Sequence, residues 1–168
     1  MQAKMYSAVE ATPAFDEIQA QAIIAHLADE PGAMLPILHA LQEAFGYVDN
    51  LAVPLIAASL NVSKAEVHGV ISFYHDFRHA PAGRHVLKIC RAEACQAMGV
   101  ESLVTHIEHR HGLKIGETAS DNSLTIENVY CLGNCALSPA VMFDGELIGR
   151  VNQDELDQLI SAARTGVQ

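Results

Sequence analysis

Four cysteines are the residues of this sequence whose type and spacing suggest a chemical role. Cys90 and Cys95 are separated by four residues, Cys131 and Cys135 by three, and the two pairs by thirty-five. Each pair follows a segment with the composition of a strand, so neighbouring strand ends would bring four thiolates to one edge of a sheet. A [2Fe–2S] cluster needs this arrangement, because each of its two irons takes two cysteine sulfurs.

Among the other uses of four cysteines, only a zinc site is compatible with this pattern. A structural zinc site also takes four cysteine ligands and tolerates gaps of two to four residues, so spacing alone leaves zinc open. A thioredoxin-type dithiol requires Cys-x-x-Cys, which is absent here. The cysteine spacing of plant-type ferredoxins does not match either. The pattern therefore favours a [2Fe–2S] cluster, with a zinc-stabilised interaction module as the alternative of another class.

Charge and hydropathy limit the class of protein. The 168 residues carry a formal net charge of −10, which argues against binding to nucleic acid or to an anionic membrane surface. The longest nearly apolar stretch, Leu51–Leu60, is too short to span a bilayer. Met1–Phe15 lacks the apolar core of a signal peptide. We therefore expect a cytoplasmic protein, whose cysteines bind metal more readily than they form disulfides.

The first half of the chain has the periodicity of helices. Ser63 and Glu66 form a capping-box pattern, which marks the start of a helix. Four helices are predicted: one that ends at Pro31-Gly32, one from Leu35 that stops at Gly46, one over Leu51–Leu60 and one from Lys64 toward Ser72. Such short helices need packing on one another or on a partner. We expect them to be too small to form a core alone and to lie against a partner protein.

The pattern changes after Pro81-Ala82-Gly83, where runs of branched residues predict strands. The Asp144-Gly145 pair favours the tight primed turn of a hairpin. The predicted order is strand His85–Ile89, helix Gly99–His111, strand Ser123–Tyr130, hairpin strands Ala140–Phe143 and Glu146–Val151, and a helix capped by Asn152. This order suits a small α/β domain with mixed strand directions. We divide the chain into an N-terminal helical segment, 1–80, and an α/β domain, 81–168.

A family resemblance rests on motifs around the cysteines. Its motifs are Gly69-Val70, Phe73-Tyr74, Phe77-Arg78, Pro81, Gly83, Cys90, Cys95 and Gly99, with Cys131-Leu132-Gly133-Asn134-Cys135-Ala136 and Pro139. The sequence from about Leu35 to Ala162 resembles the thioredoxin-like [2Fe–2S] subunit of NADH dehydrogenase-type complexes. That family is found in complex I, NAD-linked hydrogenases and NAD-dependent formate dehydrogenases. The stretches Phe73–Arg78 and Cys90–Cys95 most resemble the formate dehydrogenase gamma subunit.

The resemblance implies a fold, a cofactor and partners. The fold would be a thioredoxin-like [2Fe–2S] ferredoxin domain behind an N-terminal helical bundle, with all four cysteines as cluster ligands. The partner would be a flavoprotein that carries FMN, an NAD site and a [4Fe–4S] cluster, within a complex that also contains a larger formate-oxidising molybdenum or tungsten subunit. This chain would transfer electrons within an oxidoreductase and hold no catalytic residue of its own.

Charged residues beside the first cysteine pair depart from the family pattern. Arg91 and Glu93 stand where many relatives have small or hydroxyl residues. One interpretation is that Arg91 raises the cluster potential by stabilising the more negative reduced state, with Glu93 partly offsetting it. The other is that both side chains point outward and solvate the loop.

Other residue groups suggest packing or solvation more than chemistry. His106, His109 and His111 have the spacing of a helical metal site, but a solvated helix end also accounts for them. Phe73, Tyr74 and Phe77 suit core packing at the join of the two halves better than a partner-binding patch. No glycine-rich nucleotide motif and no nucleophile with a general base is present.

Overall fold

The computed structural model describes residues 14–165, which form two compact units, residues 14–81 and residues 82–165. Most of Met1–Phe15, where we expect no signal peptide, lies outside the described residues. The domain limits 1–80 and 81–168 remain a proposal, and their outer ends also lie outside that range. Within residues 14–165, no helix is long and apolar enough to cross a bilayer.

The first unit contains four helices, close to the predicted positions. Their bounds are α1 Glu17–Leu27, α2 Met34–Phe45, α3 Ala52–Leu60 and α4 Lys64–Phe73. The predicted capping box is present, since the Ser63 hydroxyl accepts a hydrogen bond from the Glu66 N–H and the Glu66 carboxylate accepts one from the Ser63 N–H. Gly46 ends α2 with a φ of 75°, a conformation that favours glycine.

This helical unit has its own hydrophobic core, contrary to the expectation that the helices are too small to form one. Fifteen buried apolar residues are in contact, among them Ile37, Leu38, Leu41, Phe45 and Ile56. Each fully buried side chain of this size contributes about 1.5–3 kcal/mol. The apolar faces of four helices therefore bury one another without a partner.

A glutamine in α2 forms hydrogen bonds with the backbone of the segment that follows α4. The Gln42 amide nitrogen donates to the Asp76 carbonyl at 2.7 Å, and the Arg78 N–H donates to the Gln42 amide oxygen at 2.7 Å. Phe77, between these two residues, is buried and packs into the helical core. Phe77 is thus a core residue, as predicted, but it belongs to the core of the helical unit, whereas the prediction placed it at the join of the two halves.

The second unit is a four-stranded sheet with helices. The strands are β1 His85–Cys90, β2 Leu124–Val129, β3 Ala140–Phe143 and β4 Glu146–Gly149, and the helices are α5 Glu93–Ala97, α6 Val100–His111 and α7 Gln153–Thr165. The strand order is β2-β1-β3-β4, with β1 parallel to β2 and the other pairs antiparallel. The predicted α/β order with mixed strand directions is confirmed, while the short helix α5 was not predicted.

Local chemistry explains two of the turns in this unit. Asp144 and Gly145 have φ values of 48° and 84°, as the predicted primed turn between β3 and β4 requires. Asn152 and Glu155 exchange side-chain to backbone hydrogen bonds of 2.9 and 3.1 Å at the start of α7. The central strand β1 is buried along nearly its whole length. Sheet and helices enclose a second core that includes Leu87.

Candidate metal centre

The two cysteine-bearing loops leave the same edge of the sheet. Cys90 is the last residue of β1, and Cys131 comes two residues after the end of β2. These strands are parallel neighbours, with Cys90 in register with Val129. Parallel strands present their carboxyl ends at one edge. The sheet therefore places the first cysteine of each pair beside the other, as the sequence indicated.

The second cysteine of each pair lies in a short helical turn that the sequence did not predict. Cys95 belongs to α5, and Cys135 opens a 3-10 turn over Cys135–Leu137. A single helical turn after each strand end returns the chain toward the first cysteine of the pair. Cys90 and Cys95 are buried, whereas Cys131 and Cys135 are exposed.

Hydrogen bonds to the Cys90 sulfur favour its thiolate form. Burial raises the pKa of the Cys90 thiol. Hydrogen bonds from the Ala92 N–H and the Cys95 side chain lower it, as do those from the N–H groups of Leu132 and Cys131. Together they outweigh burial, so this pKa lies below its ordinary value. Both loops thus supply N–H groups to one sulfur.

The four sulfurs lie close enough to affect one another's ionisation. The negative charge of the Cys131 thiolate raises the pKa of Cys135 most, followed by its hydrogen bond to Cys131 and by burial. The charges of Cys95 and Cys90 raise it further. Four thiolates at one point repel one another, and bound metal cations remove that repulsion.

The spacing of the sulfurs suits two metal ions better than one. Among residues 14–165, no three cysteine sulfurs lie within 4.8 Å of one another. Four thiolates around a single zinc, with Zn–S bonds of about 2.3 Å, would be about 3.8 Å apart. The Cys90 sulfur is hydrogen-bonded to the Cys95 side chain, and the Cys135 sulfur to that of Cys131. Two such pairs match a binuclear cluster, in which each iron takes two sulfurs. The donor set and its grouping fit a [2Fe–2S] cluster.

The loop after β2 holds a strained backbone at its cysteine. Cys131 has a φ of 99°, a region that L-residues other than glycine rarely adopt. Two residues on, Gly133 has a φ of 72°, and its N–H donates to the Cys131 sulfur at 3.4 Å. Such a conformation costs about 1–3 kcal/mol and is found at functional sites.

The chain at the end of strand β4 supports the turn that carries Cys135. The Arg150 N–H donates to the Leu137 carbonyl at 2.6 Å, and the Val151 N–H to the Pro139 carbonyl at 3.0 Å. Gly149 permits this approach, because a Cβ there would lie 2.6 Å from the Leu137 Cβ. Gly149 is thus a site residue that sequence reasoning missed, although its position at the end of a hairpin strand was a signal.

Ser138 links the two cysteine pairs and was also missed. Its buried hydroxyl donates to the Cys135 carbonyl at 2.8 Å and accepts from the Cys95 sulfur at 3.6 Å. Its sequence signal was its place between Cys135 and Pro139, within the motif region.

The charged residues beside Cys90 are paired with a carboxylate or exposed. The Arg91 guanidinium donates to both carboxylate oxygens of Glu101, in the first turn of α6, at 2.9 and 2.8 Å. Glu93 is exposed. This arrangement favours the interpretation that the two charges solvate the loop.

Several aromatic and histidine side chains differ in solvent exposure from what the sequence predicted. Phe73 and Tyr74 are 74% and 42% exposed, so the prediction of core packing was wrong for these two. Their aromatic rings contact each other edge to face. His109 is solvent-exposed, as expected, whereas His106 and His111 are half-buried against Asp157.

Comparisons with known proteins show the family of this chain. The family model described as thioredoxin-like [2Fe–2S] ferredoxin matches residues 20–164. A subunit of the NADH-quinone oxidoreductase of Pseudomonas aeruginosa is 34% identical over 137 residues, which are 82% of each chain. A subunit of the NADP-reducing hydrogenase of Solidesulfovibrio fructosivorans is 29% identical over 138 residues, 82% of this chain and 81% of that subunit.

Part of a solved hydrogenase structure has the same fold as this chain. The air-oxidised NAD⁺-reducing [NiFe]-hydrogenase matches 80% of this chain with a TM-score of 0.66 and 21% identity. The match covers only 23% of the hydrogenase chain, so the shared part is a fold and not a whole protein. From the cysteine geometry and the match over residues 20–164, this chain belongs to the thioredoxin-like [2Fe–2S] ferredoxin family.

Proposed function

We propose that this chain is an electron-transfer subunit that holds one [2Fe–2S] cluster through Cys90, Cys95, Cys131 and Cys135. The observation that carries the proposal is the convergence of both cysteine pairs at the carboxyl ends of two adjacent parallel strands. When bound, such a cluster takes up and releases single electrons. Cys90 and Cys95 bind one iron, and Cys131 and Cys135 bind the other.

Metal analysis and spectroscopy test the cluster against the zinc alternative. The purified chain should be red-brown, contain two irons and two sulfides, and give an EPR signal after reduction. Replacing Cys131 by Ser should abolish or alter that signal. A colourless protein with one zinc per chain would overturn the proposal and favour a zinc-stabilised interaction module.

The cluster is proposed to exchange electrons at the surface near the second cysteine pair. Cys131 and Cys135 are exposed, while the other pair is buried. Beside them, Tyr130 and Leu137 are 69% and 39% exposed. Exposed apolar side chains in a group mark interaction sites. We propose that this surface contacts a flavoprotein that carries FMN, an NAD site and a [4Fe–4S] cluster.

A charge placed on this surface tests the contact. Tyr130→Glu and Leu137→Glu should weaken co-purification with the flavoprotein while the visible spectrum stays unchanged. Leu147→Glu, at a 43% exposed apolar residue of β4 close to the Asp144-Gly145 turn, is the matched control. Equal binding by all three variants would refute this docking surface.

The helical unit is proposed to contribute a second contact to the same flavoprotein. Its own core shows that it needs no partner for packing, yet Phe73 and Tyr74 leave two aromatic rings in solvent. Deletion of residues 1–80 and the variant Phe73→Ser should both reduce complex assembly. Assembly that survives the deletion would exclude this role.

We further propose that the complex is a cytoplasmic NAD-dependent formate dehydrogenase with a larger molybdenum or tungsten subunit. Support comes from the likeness of Phe73–Arg78 and Cys90–Cys95 to the gamma subunits of those enzymes. A second candidate is the equivalent subunit of complex I or of an NAD-linked hydrogenase, which the names of the relatives favour. In either complex this chain carries electrons and catalysis resides in other subunits.

Affinity purification from the native organism distinguishes these complexes. A formate-oxidising subunit that contains molybdenum or tungsten should co-purify with the tagged chain, together with formate-dependent NAD⁺ reduction. Co-purification of hydrogenase subunits or of membrane subunits of complex I would replace the formate dehydrogenase proposal with the second candidate.

A further inference from the structure

We propose that His106, His111 and Asp157 form a second metal site, which binds one zinc or a similar divalent transition-metal ion. The ligand atoms are the Nε2 atoms of both histidines and Oδ1 of Asp157, all within 4.8 Å of one another. Within residues 14–165, no other group of three His, Cys, Asp or Glu ligand atoms is so close.

Two helices of the α/β unit build this cluster. Both histidines lie in the second half of α6, and Asp157 lies in the second turn of α7. The Nε2 atoms of His106 and His111 are 2.8 and 2.6 Å from the same oxygen of Asp157. Because both rings point at one atom from one helix, the three donors surround a common position. A solvated helix end would not impose this convergence.

The donor set has the chemistry of a zinc site. Zinc binds imidazole nitrogen and carboxylate oxygen at about 2.0–2.2 Å, and sites with three protein ligands keep a fourth position for water. In tetrahedral geometry these donors would be about 3.3 Å apart. The present distances of 2.6 and 2.8 Å therefore need to open by roughly half an ångström. The three side chains are 10–23% exposed, which leaves room for that shift and for water.

A second contact prepares the carboxylate to act as a ligand. The Arg110 Nε donates to Oδ2 of Asp157 at 2.9 Å, which leaves Oδ1 for the ion. Hydrogen bonds to the outer oxygen of a ligating carboxylate fix its orientation. An aspartate carboxyl is ionised at neutral pH without any shift, as a zinc ligand must be.

Metal binding replaces the two histidine–aspartate hydrogen bonds with metal–ligand bonds, and every proton of these hydrogen bonds is accounted for. In the metal-free cluster each imidazole donates its Nε2 proton to the carboxylate. On binding, Nε2 gives its lone pair to the ion, its proton leaves to solvent, and Nδ1 carries the one proton of a neutral ring. Since the ion joins residues of α6 and α7, the bound metal ties these two helices together.

Zinc binding to the cluster-loaded, untagged full chain tests the proposal. Occupied cysteines and the absence of a histidine tag remove two kinds of competing zinc ligand, and unchanged visible absorption verifies that the cluster stays intact. Wild type should bind one zinc per chain in isothermal titration and gain thermal stability, because zinc binds the folded state. Asp157→Asn should bind zinc at least about tenfold more weakly, since its neutral amide oxygen is a poor zinc ligand.

Matched variants separate metal binding from folding. Asp157→Asn keeps an acceptor for the histidine N–H groups, and its circular dichroism should match wild type without zinc. His109→Ala removes the exposed histidine of the same helix and should bind zinc like wild type. The proposal would be overturned if wild type bound no zinc. It would also be overturned if wild type, Asp157→Asn and the double variant His106→Ala/His111→Ala bound zinc equally. In either case the cluster would only be a set of hydrogen bonds between α6 and α7.

Discussion

The Ser138 hydroxyl lies 3.6 Å from the Cys95 sulfur and 2.8 Å from the Cys135 carbonyl oxygen, so one buried side chain contacts both cysteine pairs. The Ser138 hydroxyl donates to the Cys135 carbonyl and accepts from the protonated Cys95 sulfur. A deprotonated Cys95 ligand can no longer donate, so the hydroxyl is free to turn its one proton from the carbonyl toward the sulfur. Donation to the sulfur stabilises the more negative reduced state of an iron–sulfur cluster.

Ser138→Ala should therefore lower the midpoint potential of the cluster. If the hydrogen bond stabilises the reduced cluster by about 1 kcal/mol more than the oxidised cluster, its loss lowers the midpoint by about 40 mV for a one-electron couple. Redox titration followed by EPR measures the shift. Ser72→Ala, which removes another hydroxyl bonded to a backbone carbonyl, is the control and should leave the midpoint unchanged.

Arg91→Ala should shift the midpoint less than Ser138→Ala does. The carboxylate of Glu101 pairs with both guanidinium donors of Arg91 and neutralises its charge, and solvent screens what remains. The same redox titration measures this variant. A fall of the midpoint potential as large as that of the serine variant would restore the electrostatic role of Arg91.

Gly149→Ala should destabilise the fold and reduce retention of the cluster. A Cβ there would lie 2.6 Å from the Leu137 Cβ and 2.8 Å from the Leu137 carbonyl oxygen, so the turn that holds Cys135 must move. Overpacking of this kind costs about 1–3 kcal/mol. Thermal unfolding and iron content after gel filtration are the measurements.

Gly69→Ala is the matched glycine control. Gly69 lies within α4, and an added Cβ would meet nothing within 4 Å. Alanine in a helix interior gains about 0.5–1 kcal/mol over glycine. The control should be as stable as wild type or more so, with full iron content. Equal behaviour of the two variants would mean that β4 does not position the cysteine turn.

The Ser63–Glu66 capping box should make stability depend on pH in the acid range. The Ser63 N–H, and next its hydroxyl, lower the pKa of Glu66. A carboxyl whose pKa is lower in the folded state contributes its full stability above the unfolded value, about 4.3, and loses it as pH falls through the lower folded value.

Glu66→Gln measures this contribution. The stability difference between wild type and the variant should be largest above pH 5 and shrink as pH falls below about 4. Urea unfolding followed by far-UV circular dichroism gives this difference at each pH. A difference that stays constant between about pH 6 and pH 3 would contradict the assignment of the pH effect to Glu66.

Local chemistry determined much of this protein from the sequence. The Ser63–Glu66 pattern, Asp144-Gly145 and Asn152 each act through the backbone within a few residues, so the helix starts and the hairpin could be predicted. The cysteine spacing and the strand that precedes each pair likewise indicated a four-thiolate site at one sheet edge. These features depend on neighbours along the chain.

Other features depend on side chains that meet only after folding. The contacts of Ser138 with Cys95, of Gly149 with Leu137 and of Arg91 with Glu101 join separate elements, and no local pattern encodes them. Asp157 reaches two histidines 51 and 46 residues away in the chain. The sequence by itself therefore determined the elements, the ligand types and the cysteine pairs. Tertiary packing decided which polar groups contact the sulfurs, which charges are neutralised and which residues form the proposed second metal site.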